Sequence, residues 1–575
     1  MAVHADVLQP LLLDVQPDEW SEAGLRGISE GLDLPDAVSF LLRARQLTFA
    51  DPHERMESLM REAAGRVSAH GPDWQFVAAR LMLEDLYAQA APNRPPQARQ
   101  YGSLLSLTTH LADVGLYDAR LISGYTSAEF DVLSRALRPE RDRLFTYGGL
   151  RHLADRYLIR GYDGGALELP QEALMGVAMT LALAESDRVT WAIRFYDALS
   201  LLRVTVATPT LRNARRPFGQ LSSCFIDTPE DSLRGIFGGL RAFADVSKHG
   251  GGMGVYLGKL RASRSAIQGV RGASGGVIPW IRLYNDTAVS VDQLGQRAGA
   301  VSLWLDVWHK DIIDFLDLKT NNGDERRKAY DVFPGVCVPD LFYRALEHGE
   351  DWCLFDPHEV RQRMGFSLED SHGAEFEQRY RACVDSAELS RDTIHSLDLM
   401  ALVMKSAYET GGPFIFHRDT ANRLNPNGHA GMVYCSNLCT EIVQNQSSTV
   451  ETDSRFEDGQ VVLRSRPGDF VVCNLGSLNL GRLIEPGALE ETVPTMIRML
   501  DDAISVNRLP LPQAQVTNER YRAVGLGTSG YHEHLVRRGI PWQSEDHVAY
   551  ADRLYEQINV SVKPSTPGAG VAEGR

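Results

Sequence analysis

An α/β fold with a helical N-terminal region is predicted, on two textures and the point where one replaces the other. Up to about residue 200, apolar residues recur at helical spacing. From Leu201 onward, short β-rich runs alternate with helices and glycine-rich turns.

Residues 1–95 read as a first helical region. In Asp73-Trp74-Gln75-Phe76-Val77-Ala78-Ala79-Arg80-Leu81, the residues Trp74, Val77, Ala78 and Leu81 fall at i, i+3, i+4 and i+7, the stripe of a buried helix. Pro92-Asn93-Arg94-Pro95-Pro96 breaks the pattern. A second helical domain over 96–200 includes Val189 to Tyr196 and carries no polar cluster of catalytic type. Residues 201–558 form the α/β part, with strands expected at Val204-Thr205-Val206 and Val301 to Leu305. The polar stretch from Gln444 to Glu457 leads through Asp458-Gly459 into Val461-Val462-Leu463, and so reads as an inserted surface hairpin. The last helical face is Tyr550, Leu554 and Ile558. Beyond it, prolines and glycines cannot continue a helix past about Lys563, so 559–575 is expected to be a disordered or aberrant tail.

Composition narrows the function. A 575-residue chain with 43% hydrophobic residues can bury a large core, and nothing in it reads as a membrane span or signal peptide. A cytoplasmic location is expected, with no membrane partner. The 75 acidic residues outnumber 59 basic ones, giving a net charge of −16, which argues against a general nucleic-acid surface. Seven thinly spread cysteines without a CxxC pair are not the framework of a small secreted domain, so reduced thiols are expected.

Three thiols stand in chemically loaded settings: Cys224 in Ser222-Ser223-Cys224, Cys439 in Asn437-Leu438-Cys439-Thr440-Glu441, and Cys473. In the middle motif the polar residues alternate, so an extended or looped segment would show all three on one face. A thiyl radical at Cys439 could take a hydrogen from a ribose carbon, Glu441 could accept a hydroxyl proton, and Asn437 could hold that hydroxyl. Reduction of a ribose also needs two electrons, which a cysteine pair supplies by closing a disulfide; Cys224 and Cys473 are the candidates. The bland alternative for any lone cysteine is a small buried hydrophobe, and Cys337, Cys353 and Cys383 keep that reading. The Cys435/Cys439 spacing is weak as a metal motif, and no metal is assigned.

These motifs resemble the large, catalytic subunit of class I ribonucleotide reductase, over roughly residues 70–558. The resemblance implies a ten-stranded α/β barrel, incomplete here, with Asn437, Cys439 and Glu441 on a finger loop at its centre. It makes Cys439 the thiyl site, Asn437 and Glu441 the residues that handle the substrate hydroxyls, and Cys224 and Cys473 the reducing pair. Thr208, in Ala207-Thr208-Pro209-Thr210, and Ser223 would bind substrate. The implied reaction is reduction of ribonucleoside diphosphates for DNA synthesis. No prosthetic group would be bound directly; the radical would come from a metal-containing small subunit, and a thioredoxin- or glutaredoxin-type dithiol would restore the thiols.

Thr228-Pro229-Glu230-Asp231 reads as a helix start, with Thr228 as N-cap and an apolar stripe of Leu233, Ile236, Phe237, Leu240 and Phe243. In the family this element is similar to a dimer-interface helix beside an allosteric site for dNTP or ATP. Asp231, Ser232, Leu233 and Arg261 would contact the effector there. The second basic position of that pattern is Gln268. Gln293 to Gly299, with Arg297, resembles the loop that relays effector identity to substrate choice. Gly250 to Leu260 is no Walker loop: Met253 stands where glycine is needed and Leu260 where Ser or Thr is.

The chain departs from the family in lacking the Lys-Arg-Asp-Gly signature of an N-terminal ATP-cone, although Asp73 to Leu86 resembles the end of that domain. No cysteine follows Cys473, and neither the tyrosine pair nor the phosphate-cradling loop of the family is found. The expectation is therefore a truncated subunit, inactive alone unless a second polypeptide supplies the C-terminal part. The rival readings are a dimerising dNTP-binding fragment without catalysis and a cobalamin-dependent reductase.

Overall fold

The computed structural model describes residues 27–47, 51–292 and 298–563. The chain folds as two units: one of residues up to 219 with 476–506 and 526 onward, the other of 220–475 with 507–525.

The first unit is mainly helical. Its Trp74–Ala90 helix buries Trp74, Val77, Ala78 and Leu81, the stripe expected from spacing alone, against Phe40, Leu59, Met60 and Leu150. The Pro170–Leu181 helix is buried on every side, which its near-continuous apolar sequence permits. Charges enclosed with it are paired: Arg215 and Glu168 form a fully buried ion pair, and Glu168 also accepts from Tyr117 Oη (2.7 Å) and Ile159 N (2.7 Å). Asp142 accepts from Tyr87, Tyr101 and Gln171, and burial, opposed by those three donors, pushes its pKa up to about 6. Val204–Val206 pairs antiparallel with the strand Asn474–Asn479, Thr205 facing Ser477. The final helix, Glu545–Val562, runs past Ile558 before the described residues end, and buries Leu554 and Ile558.

The second unit is built on a six-stranded sheet. Its strands are β1 (Cys224–Asp227), β2 (Gly252–Tyr256), β3 (Val301–Asp306), β4 (Phe333–Val338), β5 (Phe414–His417) and β6 (Val471–Val472). They lie in the order β6-β1-β2-β3-β4-β5; β1 to β5 are parallel, and β6 runs antiparallel to β1. Parallel strands covered on both faces should read as continuous apolar runs, and β3 is buried at all six positions. One face packs on helices through Phe243, Val255, Ile281, Leu303 and Phe342; the other holds Tyr256, Trp304, Cys337, Tyr434 and Cys473. The sheet does not close on itself among the described residues. The expected hairpin is present as Val450–Glu457 and Gln460–Arg466, turned by Asp458 and Gly459, both at positive φ.

One helix starts later than its sequence suggests. The element expected from Thr228 begins at Leu233, capped by Ser232 Oγ, which accepts from Gly235 N at 3.0 Å. Asp231 is drawn into an ion pair with Arg261, and Thr228 bonds Gln446, so residues 228–231 are held outside the helix by tertiary contacts. The apolar stripe divides accordingly: Ile236 and Phe243 are buried, whereas Leu233 and Phe237 are exposed.

Candidate active site

Cys224 opens β1 and Cys473 follows β6. The register Val471 to Ile226 and Val472 to Phe225, extended by one residue, sets Cys473 opposite Cys224, and Cys473 N donates to Cys224 O at 3.0 Å. Directly opposed residues on antiparallel strands have Cα atoms about 4.5–5.5 Å apart. That lies inside the roughly 4.4–6.8 Å window of a disulfide. Both thiols are free and buried. Ser223 Oγ sits between them, 3.5 Å from Cys224 Sγ and 3.4 Å from Cys473 Sγ.

The Asn437–Glu441 segment lies over β2. A Cβ on Gly252 would come within 2.9 Å of Leu438 Cδ2, and one on Gly254 within 2.3 Å of Ser436 O. Glycines two apart in a strand leave a groove on one face, and the loop occupies it. The segment is a turn rather than an extended run: Thr440 has φ +69° and its N donates to Asn437 O. Its three polar residues therefore do not share one exposed face, as alternation alone suggested. Asn437 is fully buried, while Cys439 and Glu441 are exposed.

Buried as it is, Asn437 is half satisfied. Its Oδ1 accepts from Ile442 N (3.0 Å) and Ser436 Oγ (3.2 Å), whereas its Nδ2 has no protein partner. Cys224 Sγ donates to Glu441 Oε1 at 3.8 Å. A hydrogen bond with Cys439 pulls the Cys224 pKa down, but the bond to Cys473 and burial outweigh it and leave Cys224 a thiol, well above the usual range. Three cysteines and one carboxylate thus converge, with Asn437 buried two residues before Cys439 on the same loop.

Cys435 turns away from this centre, with its Sγ on Gln446 Oε1 (3.5 Å). Among the described residues no cluster of three His, Cys, Asp or Glu could hold a metal.

The chain matches the family model described as the ribonucleotide reductase barrel domain over residues 222–566, and the all-alpha domain over 143–219. It is a member of the ribonucleotide reductase large-subunit family. A ribonucleoside-diphosphate reductase subunit alpha from Treponema pallidum is 49% identical over 532 residues, covering 91% of this chain and 62% of the relative. The corresponding subunit of Helicobacter pylori is 36% identical, with 88% and 67% covered, and that of Synechocystis 38% identical, with 88% and 62% covered. The chain thus spans about two thirds or less of these relatives.

Elsewhere in the chain, Thr208 belongs to the helical unit, where it begins the Thr208–Asn213 helix with Oγ1 3.2 Å from Tyr157 Oη. The four described effector candidates lie together. Asp231 Oδ2 is 2.9 Å from Arg261 Nη2, with Arg361 (3.4 Å) and His358 (3.6 Å) also on it, ahead of Ser232 and Leu233. Burial, then the Arg261 charge, lower the His358 pKa. Arg297 and the segment 293–297 lie outside the described residues. No helix among the described residues is long and apolar enough to cross a membrane.

Sequence reasoning missed Gly252 and Gly254, and with them Arg361 and His358. A Gly-x-Gly step inside an otherwise apolar strand was the available signal for a close backbone approach.

Proposed function

We propose that this chain carries the catalytic centre for reducing ribonucleoside diphosphates to deoxyribonucleoside diphosphates. The observation that carries the reading is the opposition of Cys224 and Cys473 on β1 and β6, with Cys439 and Glu441 brought onto Cys224 by the loop over β2.

Each residue has a part that its environment suits. Cys439, the exposed thiol, is the radical site and takes a hydrogen atom from the ribose. Glu441 accepts a hydroxyl proton. Asn437 Nδ2, a buried donor without a partner, holds a substrate hydroxyl. Cys224 and Cys473 give two electrons and two protons; the 2'-hydroxyl leaves as water, the C2' position gains hydrogen, and the pair ends as a disulfide. Ser223, between the two thiols, contacts substrate.

The partners follow from that chemistry. The radical at Cys439 comes from a metal-containing small subunit. A thioredoxin- or glutaredoxin-type dithiol reopens the disulfide. Asp231, Ser232, Leu233, Arg261 and Arg297 receive a dNTP or ATP effector, and exposed Leu233 and Phe237 supply apolar surface for a homodimer. The proposed organisation is a helical region over 1–95, a helical domain over 96–200 and the barrel from 201. A second polypeptide supplies the part of the relatives' length that this chain does not span, and the reaction is cytoplasmic.

The test is a single turnover without external reductant. The chain, a small subunit and a polypeptide matching the rest of the relatives should yield about one deoxynucleotide per active site, with Cys224 and Cys473 joined on peptide mapping. Product formed by Cys439→Ser at the rate of the unaltered chain would overturn the assignment.

A further inference from the structure

The backbone around the two opposed cysteines is held by a set of buried polar side chains that the chemistry above does not use. Ser222 Oγ donates to Asn474 Oδ1 at 3.0 Å and accepts from Asn507 Nδ2 at 2.9 Å. Asn507 Oδ1 in turn accepts from Leu221 N at 2.9 Å. Asn474 Nδ2 reaches Asn518 Oδ1 (2.9 Å) and Ala523 O (3.1 Å). Gln220 closes the near side: its Nε2 donates to Ser222 O at 2.6 Å and its Oε1 accepts from Ser222 N. Gln220, Ser222, Asn474, Asn507 and Asn518 are all at most 5% exposed.

Their placement is specific. Ser222 stands two residues before Cys224, and Asn474 directly follows Cys473, so the Ser222 to Asn474 bond ties the two cysteine-bearing segments together across 252 positions of sequence. β6 itself is two residues long, and a two-residue ladder is a weak guarantee of register. A buried amide with its partners in place resists displacement, because each broken bond leaves a desolvated polar group.

We infer that Ser222, Asn474 and Asn507 are positioning residues that hold Cys224 and Cys473 in bridging register and so set the reduction potential of their disulfide. The inference rests on the reading of those cysteines as the reducing pair. Two thiols held opposite one another behave as if each were at high local concentration, which favours the closed disulfide. Loosening the strands lowers that effective concentration and makes the bridge easier to reduce. The reaction read out is balanced: the two thiols lose two electrons and two protons to form the bridge, and oxidised glutathione takes them up to become two reduced glutathiones.

The full chain is equilibrated in glutathione buffers of graded ratio, quenched by alkylation, and the Cys224 to Cys473 bridge is quantified by peptide mass spectrometry. Ser222→Ala, which removes the links to both Asn474 and Asn507, should weaken the bridge about tenfold, equivalent to a midpoint about 30 mV less negative for a two-electron couple. Ser222→Thr, which keeps the hydroxyl, should recover most of the shift. Leu399→Ala, a core truncation in the Ser396–Thr410 helix of the same unit, should lower the melting temperature and leave the midpoint in place. If Ser222→Ala does not fold, Asn507→Ala is measured in its place and should shift the midpoint in the same direction. A folded variant with an unchanged or more negative midpoint overturns the inference. An unaltered chain that never forms the bridge overturns the reading of the reducing pair, and the inference falls with it.

Discussion

Gly254 and Asn437 are in backbone contact. A methyl group on Gly254 would lie 3.0 Å from Asn437 Cα, a tight approach, and 2.3 Å from Ser436 O, closer than Cβ atoms come in proteins. The reactive loop therefore rests on β2 itself, with no layer of side chains between. Whatever precision the loop has in presenting Cys439 and Glu441 to Cys224 derives from that rigid parallel strand.

Gly254→Ala should therefore act on chemistry as well as stability. Forcing a methyl into this contact costs about 1–3 kcal/mol if the loop shifts to make room. The expected result is a modest fall in the urea midpoint together with loss of deoxynucleotide formation in the single-turnover assay. Full activity in the variant would show that the loop does not need this seat.

Much of the fold was legible because its signals are periodic and local. Trp74, Val77, Ala78 and Leu81 announce their helix, Asp458-Gly459 announces a hairpin, and the apolar run at Val301 becomes a buried parallel strand. What escaped depends on pairings distant in sequence. The helix after Pro229 starts late because Asp231 is taken by Arg261, thirty residues on. The bonds among Ser222, Asn474 and Asn507 join single polar residues with no pattern around them. Cys224, Cys439 and Cys473 stand out in the sequence through the motifs around them, but the opposition of Cys224 and Cys473 across β1 and β6 required the sheet.

The buried pair Glu168 and Arg215 provides a test of the helical unit. Both side chains are fully enclosed, and Glu168 accepts further bonds from Tyr117 and Ile159. Arg215→Met leaves a buried carboxylate without its cation and should destabilise the unit by about 3–5 kcal/mol. Adding Glu168→Gln removes the uncompensated charge and should restore part of that loss. Urea denaturation of the two variants measures both steps; a double variant as unstable as the single one would contradict the charge argument.

Asp142 makes the same unit sensitive to pH. Burial raises its folded-state pKa to about 6 from an ordinary 3.8, against the opposing bonds from Tyr101, Tyr87 and Gln171. A raised carboxyl pKa means that the folded state binds the proton more tightly than the unfolded chain does. Its stabilising contribution is full below pH of about 4 and is lost as pH rises through about 6, a difference of order 3 kcal/mol at 1.36 kcal/mol per unit. Asp142→Asn removes that titration, so the slope of unfolding free energy between pH 4 and 6 should become more positive in the variant. Parallel slopes for the two chains would show that Asp142 does not carry the effect.

The seven cysteines should differ sharply in reactivity. Cys439 is exposed, and the other six are buried. Burial holds the Cys435 and Cys337 thiols far above their usual pKa, and Cys224 is raised by its bond to Cys473 and by burial despite the opposing bond to Cys439. Since the thiolate is the attacking form and needs access to reagent, substoichiometric iodoacetamide at neutral pH should label Cys439 at least about tenfold faster than any other cysteine. Denaturation in urea should erase the difference. Cys439→Ser should remove the fast phase entirely, and it should also abolish ribose reduction, because a serine hydroxyl cannot form an equivalent radical. The two readouts are separate: labelling needs only an accessible thiolate, whereas turnover needs the radical chemistry of the thiol. Fast labelling that persists in Cys439→Ser would place the accessible thiol elsewhere and remove the structural basis for calling Cys439 the radical site.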